Sequence, residues 1–399
     1  MITSGEPATA LTEDTLGVTF RPELHTAGRF YRPELDVVRF IAFFLVFLTH
    51  TLPSGRGDEF VRLPLRLAVL IYGVQRISDY GLFLFFTLSA FLICELLLRE
   101  RDATGGIRAT NFYIRRLLRI WPLYFAGLTI GLVIAVLRHH GRVTYIWTAW
   151  AAVLMGNWFF IFKGNPGNVM NSLWSISVEE QFYLFAPWAV KLMRRRSLCG
   201  FAIALLAVAG VWLYVLGSGG APAEKVWCNS FVDFGFFAAG ILLCIGLRGR
   251  VTSLHARQRL FLITASSLCW CLAVYKFHCY SEGTLAVNRS WPLICGNGLI
   301  ALGCCGVILA FLGIEQSFLP QPLIYLGRIS YGLYVFHSLA IHFANRLWPP
   351  VPGDGLTLCR NAIVSLGMTI VLATLSYRYF ESTFLKLKRH YEIIRSRPV

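Results

Sequence analysis

Arg39 and His50 stand eleven residues apart in an otherwise apolar run, "ELDVVRFIAFFLVFLTH", which ends at His50. At about 100° per residue, this spacing places both side chains within about 20° of each other on one helical face. The helical rise separates them by about 16 Å. A histidine can act as a general base near neutral pH, and Glu34 and Asp36 are possible partners for the guanidinium. Snorkelling explains Arg39 alone and packing explains His50 alone, but the pair on one face favours a polar channel or active site.

A second polar set lies in "NSLWSISVEEQFYLFAPW", residues 171–188. If this helix enters the membrane from outside, Glu179 lies about 10 Å below the outer surface, at a depth similar to that of His50. A carboxylate at this depth needs a partner, and an imidazole is a natural one. We therefore predict that His50 and Glu179 share one water-accessible cavity. The alternative is that Glu179 and Glu180 cap the outer end of the helix.

A third set occurs in "LGRISYGLYVFHSLAIHF". Arg328, Tyr331, Tyr334 and His337 follow one another at three-residue steps, which predicts one narrow helical face. Core hydrogen bonding explains these residues about as well as substrate contact does.

Composition indicates the elements that must position these groups. The chain has 399 residues, 56% of them apolar and 15% charged, as is typical of a polytopic membrane protein. Long apolar runs with short polar connections predict an all-α transmembrane bundle. About ten spans are predicted at 37–52, 79–98, 117–137, 172–193, 198–216, 231–247, 260–275, 291–314, 324–344 and 361–380. Residues 1–30 are predicted to be a flexible cytoplasmic tail, 31–385 the membrane domain, and 386–399 a basic cytoplasmic tail.

Charge orients the bundle, because basic clusters favour the cytoplasm. The clusters are "RRLLR" at 115–119, "RRR" at 194–196, the arginines of 248–259 and the basic tail. All four fall inside only if the apolar segment 145–162 does not cross the membrane. We therefore predict that 145–162 is interfacial or re-entrant and that both termini are cytoplasmic. The arginine-containing stretch 51–76 then forms an outer loop, against the charge rule.

The formal charge of +16 does not indicate nucleic-acid binding, because the basic residues sit at the ends of apolar runs rather than along one stripe. The eleven cysteines are scattered through apolar segments without a CxxC spacing. We interpret them mostly as small core residues and predict no metal.

Six stretches, in the same order along residues 31–388, resemble the membrane-bound acyltransferase 3 family. They are "RPELDVVRFIAFFLVFLTH", "GLFLFFTLSAFLI", "NFYIRRLLRIWPLYF", "SLWSISVEEQFYL", "LGRISYGLYVFH" and "SYRYFESTFLKLKR". This family O-acylates surface sugars, peptidoglycan and some macrolide or glycolipid acceptors. The chain departs from the family at Ala90, where a glycine usually follows the serine of the second motif.

The resemblance implies that Arg39 and His50 are essential, with His50 the base, and that Glu179 is the functional acid. Three arginines would form the cytoplasmic basic motif and bind the donor: Arg115, Arg116 and Arg119. Substrate or structural support is expected from Ser89, Trp174, Tyr183, Arg328, Tyr331 and His337.

The predicted activity is an O-acyltransferase of the cell inner (plasma) membrane. It would move an acyl group, expected to be acetyl, from cytoplasmic acetyl-CoA or another acyl-CoA to a hydroxyl of a carbohydrate or glycolipid. Clustered arginines suit the phosphates of coenzyme A. The alternative is a transporter or exporter of a glycan or lipid precursor, although no counterpart of the Arg39/His50 helix occurs in the second half. The sequence leaves open the acceptor, the acyl length, direct or covalent transfer, and the oligomeric state.

Overall fold

The computed structural model describes residues 12–13, 19–21, 30–53, 65–139, 141–279, 289–351 and 354–394. These residues form sixteen α-helices, numbered α1 to α16 in chain order. They are Pro33–Thr51, Leu65–Ser78, Gly81–Thr104, Ala109–Leu137, Arg142–Ala152, Gly156–Lys163, Trp174–Leu192, Arg195–Ser218, Ala223–Trp227, Ser230–Leu247, Ala256–Tyr275, Ser290–Phe311, Gln321–Arg328, Ser330–Leu347, Gly355–Ser376 and Ser382–Lys388. Short 3₁₀ helices occur at Asn171–Leu173, Gln316–Phe318 and Arg389–Tyr391, and a π-helix at Tyr377–Glu381.

Seven stretches of the described chain are long and apolar enough to cross a membrane. They are Ala68–Thr104, Ala109–Leu137, Arg195–Ser218, Ser230–Leu247, Ala256–Tyr275, Ser290–Phe311 and Gly355–Tyr391. Helices α1, α7 and α14 have 19, 19 and 18 residues, so they are long enough but too polar to join this group. These three helices carry His50, Glu179 and His337. The predicted helical membrane bundle is confirmed, and the polar helices bring the number of long segments to the predicted ten.

The stretch 51–76, predicted to be an outer loop, is partly helical. Helix α2 begins at Leu65 and runs almost directly into α3 as one apolar stretch. Arg76 lies in α2, is buried, and pairs with Asp79 at 3.3 Å. A buried and paired arginine does not act as a topology signal, so Arg76 does not violate the rule that basic residues favour the cytoplasm. Arg56 and Arg62 lie outside the described residues.

The segment 145–162 is divided between α5, Arg142–Ala152, and α6, Gly156–Lys163. With 11 and 8 residues, neither helix is long enough to cross a bilayer by itself. Phe30, Tyr31 and Arg32 line the same cavity as Lys388, Glu392 and Ile394, so the two ends of the described bundle lie close together. This proximity agrees with the even number of crossings that was predicted. We call the side at which they lie the inner end, following the predicted cytoplasmic termini.

A small antiparallel sheet joins the beginning of the chain to the connection between α10 and α11. Its strands are β1, Thr12–Glu13, β2, Thr19–Arg21, and β3, Val251–Ser253, with β2 in the middle. The predicted flexible tail, residues 1–30, otherwise lies outside the described residues except for Phe30.

The core is organised around α3, which packs against α1, α10 and α12. A side chain at Gly240 of α10 would collide with the backbone of α3 at Thr87, and Ala90 packs against the same glycine. Helices α3 and α10 can therefore approach each other closely because residue 240 is a glycine, which leaves room for the methyl group of Ala90. Only 22% of the most apolar part of α8 and of α11 is buried, compared with 78% for the stretch that contains α3. Helices α8 and α11 therefore lie at the periphery.

Candidate functional site

A cavity opens among α1, α3, α4, α7 and α14 and is strongly cationic. Six of the side chains that line it are basic: Arg32, Arg39, Arg115, Arg116, Arg119 and Lys388. Two are acidic, Glu179 and Glu392. Such an excess of positive charge in a partly closed space attracts anions. All three arginines of the predicted basic motif are in this cavity because α4 begins at Ala109, which places the motif on a helix whose residues three and four apart share a face.

Some of these cations are neutralised by nearby carboxylates. The ion pairs are Arg32–Glu34 at 3.7 Å, Arg39–Asp36 at 2.7 Å, Arg115–Glu100 at 2.9 Å and Lys388–Glu392 at 2.9 Å. The sequence suggested Glu34 or Asp36 as the partner of Arg39, and the structure pairs Arg39 with Asp36.

Arg116 and Arg119 differ from these pairs, since neither forms an ion pair with any residue that the structure describes. Arg116 lies over the rings of Tyr183 and Phe112, with its guanidinium carbon 5.3 and 5.5 Å from the ring centres. Stacking of this kind fixes the plane of the guanidinium and leaves its N–H groups available. Arg116 and Arg119 are therefore available to an anionic ligand.

Glu179 lines the same cavity from α7 and is half-buried. Its Oε1 accepts a hydrogen bond from Ser89 Oγ at 2.5 Å and another from the hydroxyl of Tyr183. Two donors from α3 and α7 therefore orient the carboxylate. Ser89, Tyr183 and Glu179, all predicted site residues, are brought together in one cluster.

His50 is located elsewhere. Its ring stacks on that of His337, with centroids 5.1 Å apart and an interplanar angle of 17°, and the residue is exposed. Within the described part of the chain, no hydrogen bond joins His50 to Glu179, and His50 does not line the cavity. The predicted shared cavity was therefore wrong.

An aromatic residue lies on the same face of α1. Phe43 is four residues after Arg39 and seven before His50, which places all three on one stripe. It is fully buried and packs edge-on against His337, with centroids 6.3 Å apart. The His337 ring thus contacts both Phe43 and His50, and none of these three residues lines the cavity.

A chain of hydrogen bonds nevertheless connects the two regions. His337, fully buried, donates from Nδ1 to the carbonyl of Tyr334 at 2.5 Å, and its Nε2 lies 3.2 Å from Ser338 Oγ. Ser338 donates to Ser172 Oγ at 3.1 Å, and the Tyr334 hydroxyl donates to the Ser172 carbonyl at 2.8 Å. The Tyr334 hydroxyl is 2.5 Å from Ser175 Oγ, and both residues line the cavity. The site thus has an inner cationic part, an outer imidazole part and a hydroxyl network between them.

The remaining predicted residues have varied positions. The Tyr331 side chain lines the cavity and donates to the carbonyl of Ile120 at 2.7 Å. Trp174 is buried against Phe160 of α6, outside the cavity lining. Arg328 donates to Tyr31 at 3.4 Å. The predicted single face from Arg328 to His337 was wrong, because α13 ends at Arg328 and α14 begins at Ser330.

Sequence reasoning missed Lys388, Glu392 and Glu100, which belong to the cavity wall or support it. The basic tail was interpreted only as a topology signal. The spacing of four residues between Lys388 and Glu392 was the available clue to an ion pair on one helical face. No group of three or more potential metal ligands occurs among the residues described, and the absence of a metal stays a prediction.

Comparison with known proteins identifies the family. The family model for an acyltransferase domain, the acyltransferase 3 type, matches residues 32–378. The chain belongs to this family. The matched segment includes α1, α7 and α14, which carry the polar side chains of the site. The prediction of an acyltransferase is confirmed at the level of the family, and the chain is a multi-pass helical member of it.

Several curated proteins are similar over most of this chain. The peptidoglycan O-acetyltransferase OatA of Listeria monocytogenes is 25% identical over 381 residues, which cover 90% of this chain and 56% of the relative. A putative O-acetyltransferase of Staphylococcus aureus is 25% identical over 80% of this chain and 55% of its own length. A putative peptidoglycan O-acetyltransferase of Bacillus subtilis, YrhL, is 27% identical over 75% and 49%. The chain thus spans about half the length of these relatives. No solved structure matches it.

Proposed function

We propose that this protein is a membrane O-acyltransferase that moves an acetyl group from acyl-CoA, bound at the inner end, to a carbohydrate hydroxyl presented at the outer end. The observation that carries the proposal is the combined site: a cationic cavity whose far wall is linked by hydroxyl groups to a pair of stacked imidazoles. The family match favours this reading over a transporter. The inner membrane of the cell is the proposed location, because the donor is cytoplasmic.

The donor would be held by its phosphates. Arg116 and Arg119 form no ion pair with any carboxylate that the structure describes, and phosphate accepts bidentate, charge-assisted hydrogen bonds from guanidinium groups. Arg115 is held in place by Glu100 and by the Tyr391 carbonyl at 2.8 Å, so it would add charge from a fixed position. The pantetheine arm would then extend along α3 toward Ser175 and Tyr334.

The transfer itself would need a base for the acceptor hydroxyl. His50 would remove this proton, the hydroxyl oxygen would attack the thioester carbonyl, and the carbon–sulfur bond would break. The proton would finally pass to the thiolate of the leaving coenzyme A, so that charge and atoms balance. Direct attack requires an approach of about 3.5 Å or less, and His50 does not line the cavity, so the site would have to rearrange to let thioester and hydroxyl meet.

Glu179 would position groups rather than act directly on the acceptor. Its carboxylate is held by Ser89 and Tyr183, beside the guanidinium of Arg116. A carboxylate fixed in this way orients the two hydroxyl groups and the nearby cation along the path of the pantetheine arm. We therefore assign Glu179 to the organisation of the donor path.

For the acceptor, the names of two relatives support peptidoglycan-type carbohydrate as the first class to test. The experiment uses purified protein in lipid nanodiscs with acetyl-CoA labelled in the acetyl group and soluble muropeptides. Ester-linked label on the muropeptide, absent with a His50→Gln variant that accumulates normally, would support the proposal. Unchanged transfer by the variant would contradict the assigned base. No transfer to any carbohydrate hydroxyl by the unmodified protein would contradict the proposed activity.

A further inference from the structure

The end of the described chain folds back into the mouth of the cavity. After the π-helix Tyr377–Glu381, helix α16 runs to Lys388, and residues 389–394 continue across the inner end. Lys388, Glu392 and Ile394 line the cavity beside the arginines of α4. The Arg115 guanidinium holds this segment through the Tyr391 carbonyl at 2.8 Å. The segment therefore forms part of the cavity wall.

Lys388 and Glu392 are unusually buried for a pair near a chain end. Their side chains are 9% and 6% exposed, and their charged atoms are 2.9 Å apart. Long charged side chains are seldom buried unless they are paired. The pair also faces a cavity that contains two guanidinium groups without an acidic partner among the described residues, Arg116 and Arg119.

We propose that Lys388 is a fourth cation of the donor-phosphate site and that Glu392 is its internal counter-ion, which a phosphate group of the donor replaces. This inference deepens the proposed function and rests on its donor-binding part. It extends the binding motif from the three arginines of α4 to a segment about 270 residues further along the chain.

Electrostatics supports an exchange of this kind. A carboxylate brings one negative charge to the cluster. A phosphate group brings up to about two negative charges and three acceptor oxygens. A phosphate can therefore contact Lys388 and, at the same time, Arg116 or Arg119. Glu392 at its present position pairs with Lys388 and with neither of these two arginines. Removing Lys388 would take from the buried Glu392 the cation that lies 2.9 Å from it, and removing the charge of Glu392 would remove the carboxylate with which a phosphate competes for Lys388.

The test measures binding rather than turnover, by calorimetry on the full chain in nanodiscs. The probes are coenzyme A without an acyl group and inorganic pyrophosphate. Lys388→Met is expected to weaken coenzyme A binding about 10-fold, in line with the loss of one charge-assisted contact. Glu392→Gln is expected to tighten binding of both probes several-fold. The matched control is Lys386→Met, an exposed lysine outside the cavity lining, which is expected to leave both affinities unchanged.

Each outcome decides the matter. The inference is overturned if Lys388→Met binds like Lys386→Met, or if Glu392→Gln weakens binding, which would mean that the pair only maintains the wall. Lys388→Arg, which keeps the charge, should bind within a few-fold of the unmodified protein if Lys388→Met proves poorly folded. If coenzyme A binds in a Lys388-dependent manner but no acetyl is transferred, the proposed function fails and this inference stands. If the unmodified protein binds neither probe, both the inference and the coenzyme A donor are wrong.

Discussion

The inner and outer parts of the site are built from different chemistry. Six cationic side chains line the inner cavity, where Arg116 and Arg119 have no acidic partner within the described residues. The outer part has two stacked imidazoles, His50 and His337, connected to serine and tyrosine hydroxyls. Charge recognises an anionic donor at long range, whereas neutral hydrogen-bonding groups suit the hydroxyls of a carbohydrate.

The difference implies separate effects for mutations in the two parts. Changes at the inner end should mainly alter the concentration of donor that is required, because they affect binding. Changes at the outer end should mainly lower turnover, because they affect the reacting proton. Measuring both turnover and the donor KM for each variant separates these two effects.

The largest effect is expected for His50→Gln, which removes the proposed base and keeps a polar side chain of similar size. We expect turnover to fall about 100-fold or more, with little change in the donor KM, because general base catalysis typically contributes that much. Labelled acetyl transfer in nanodiscs measures both constants. His278→Gln, an exposed histidine outside the cavity lining, is the matched control. A rise in the donor KM without loss of turnover would indicate that His50 binds the donor and is not the base.

Glu179→Gln should have the second largest effect. The amide keeps the size of the side chain but removes the charge that organises Ser89, Tyr183 and the neighbouring Arg116. We expect about a 10- to 100-fold loss of kcat/KM, as for disruption of a partly buried charged hydrogen-bond network. Tyr183→Phe removes one of the two donors and should give a smaller loss. If Tyr183→Phe costs more than Glu179→Gln, the carboxylate is not the centre of this cluster.

The sequence predicted the inner part of the site well and the connection between the two parts poorly. Arg39, Glu179 and the arginines of α4 line one cavity, as motif spacing and the family resemblance suggested. Periodicity places residues on a face, but it does not reveal which neighbour covers that face. The contacts of His337 with Phe43 and with His50 were therefore not predicted.

The fold, too, was predicted from the sequence only in part. Apolar length predicted the long spans, and charge predicted that 145–162 does not cross the membrane. The structure divides this segment between α5 and α6, each too short to cross by itself, and that division was not predicted. The break between α13 and α14 was not predicted, because the stretch around Ile329 has no proline and keeps its apolar pattern. Just before the break, Gly327 packs directly on the backbone of Asp36 in α1, a tertiary contact that the local pattern does not contain. The return of residues 388–394 to the cavity also depends on long-range contacts that local patterns do not contain.

A moderate effect is expected for Arg116→Gln and Arg119→Gln. Each should raise the donor KM about 10-fold and change kcat by less than about 3-fold, since a charge-assisted phosphate contact contributes about 1.5–3 kcal/mol. The donor KM of the unmodified protein should also increase with salt. Arg196→Gln, an exposed arginine in another basic cluster, tests the topology explanation. Equal effects at Arg196 and Arg116 would favour a general role of positive charge.

The smallest effect is expected for Ser338→Ala, which interrupts the hydroxyl network between His337 and Ser172. The expected loss of turnover is about 2- to 10-fold, because a neutral hydrogen bond typically contributes about 0.5–1.5 kcal/mol. Donor affinity should not change. A large change in the donor KM would show that the network belongs to the inner part of the site.

The most direct test of the whole account is sided acetyl transfer in proteoliposomes of known orientation. Labelled acetyl-CoA is placed on one side of the membrane and soluble muropeptides on the other. The account predicts labelled ester only when the donor is on the side of Arg116 and Lys388 and the acceptor is on the side of His50. Equal transfer with donor and acceptor together on the His50 side would contradict it.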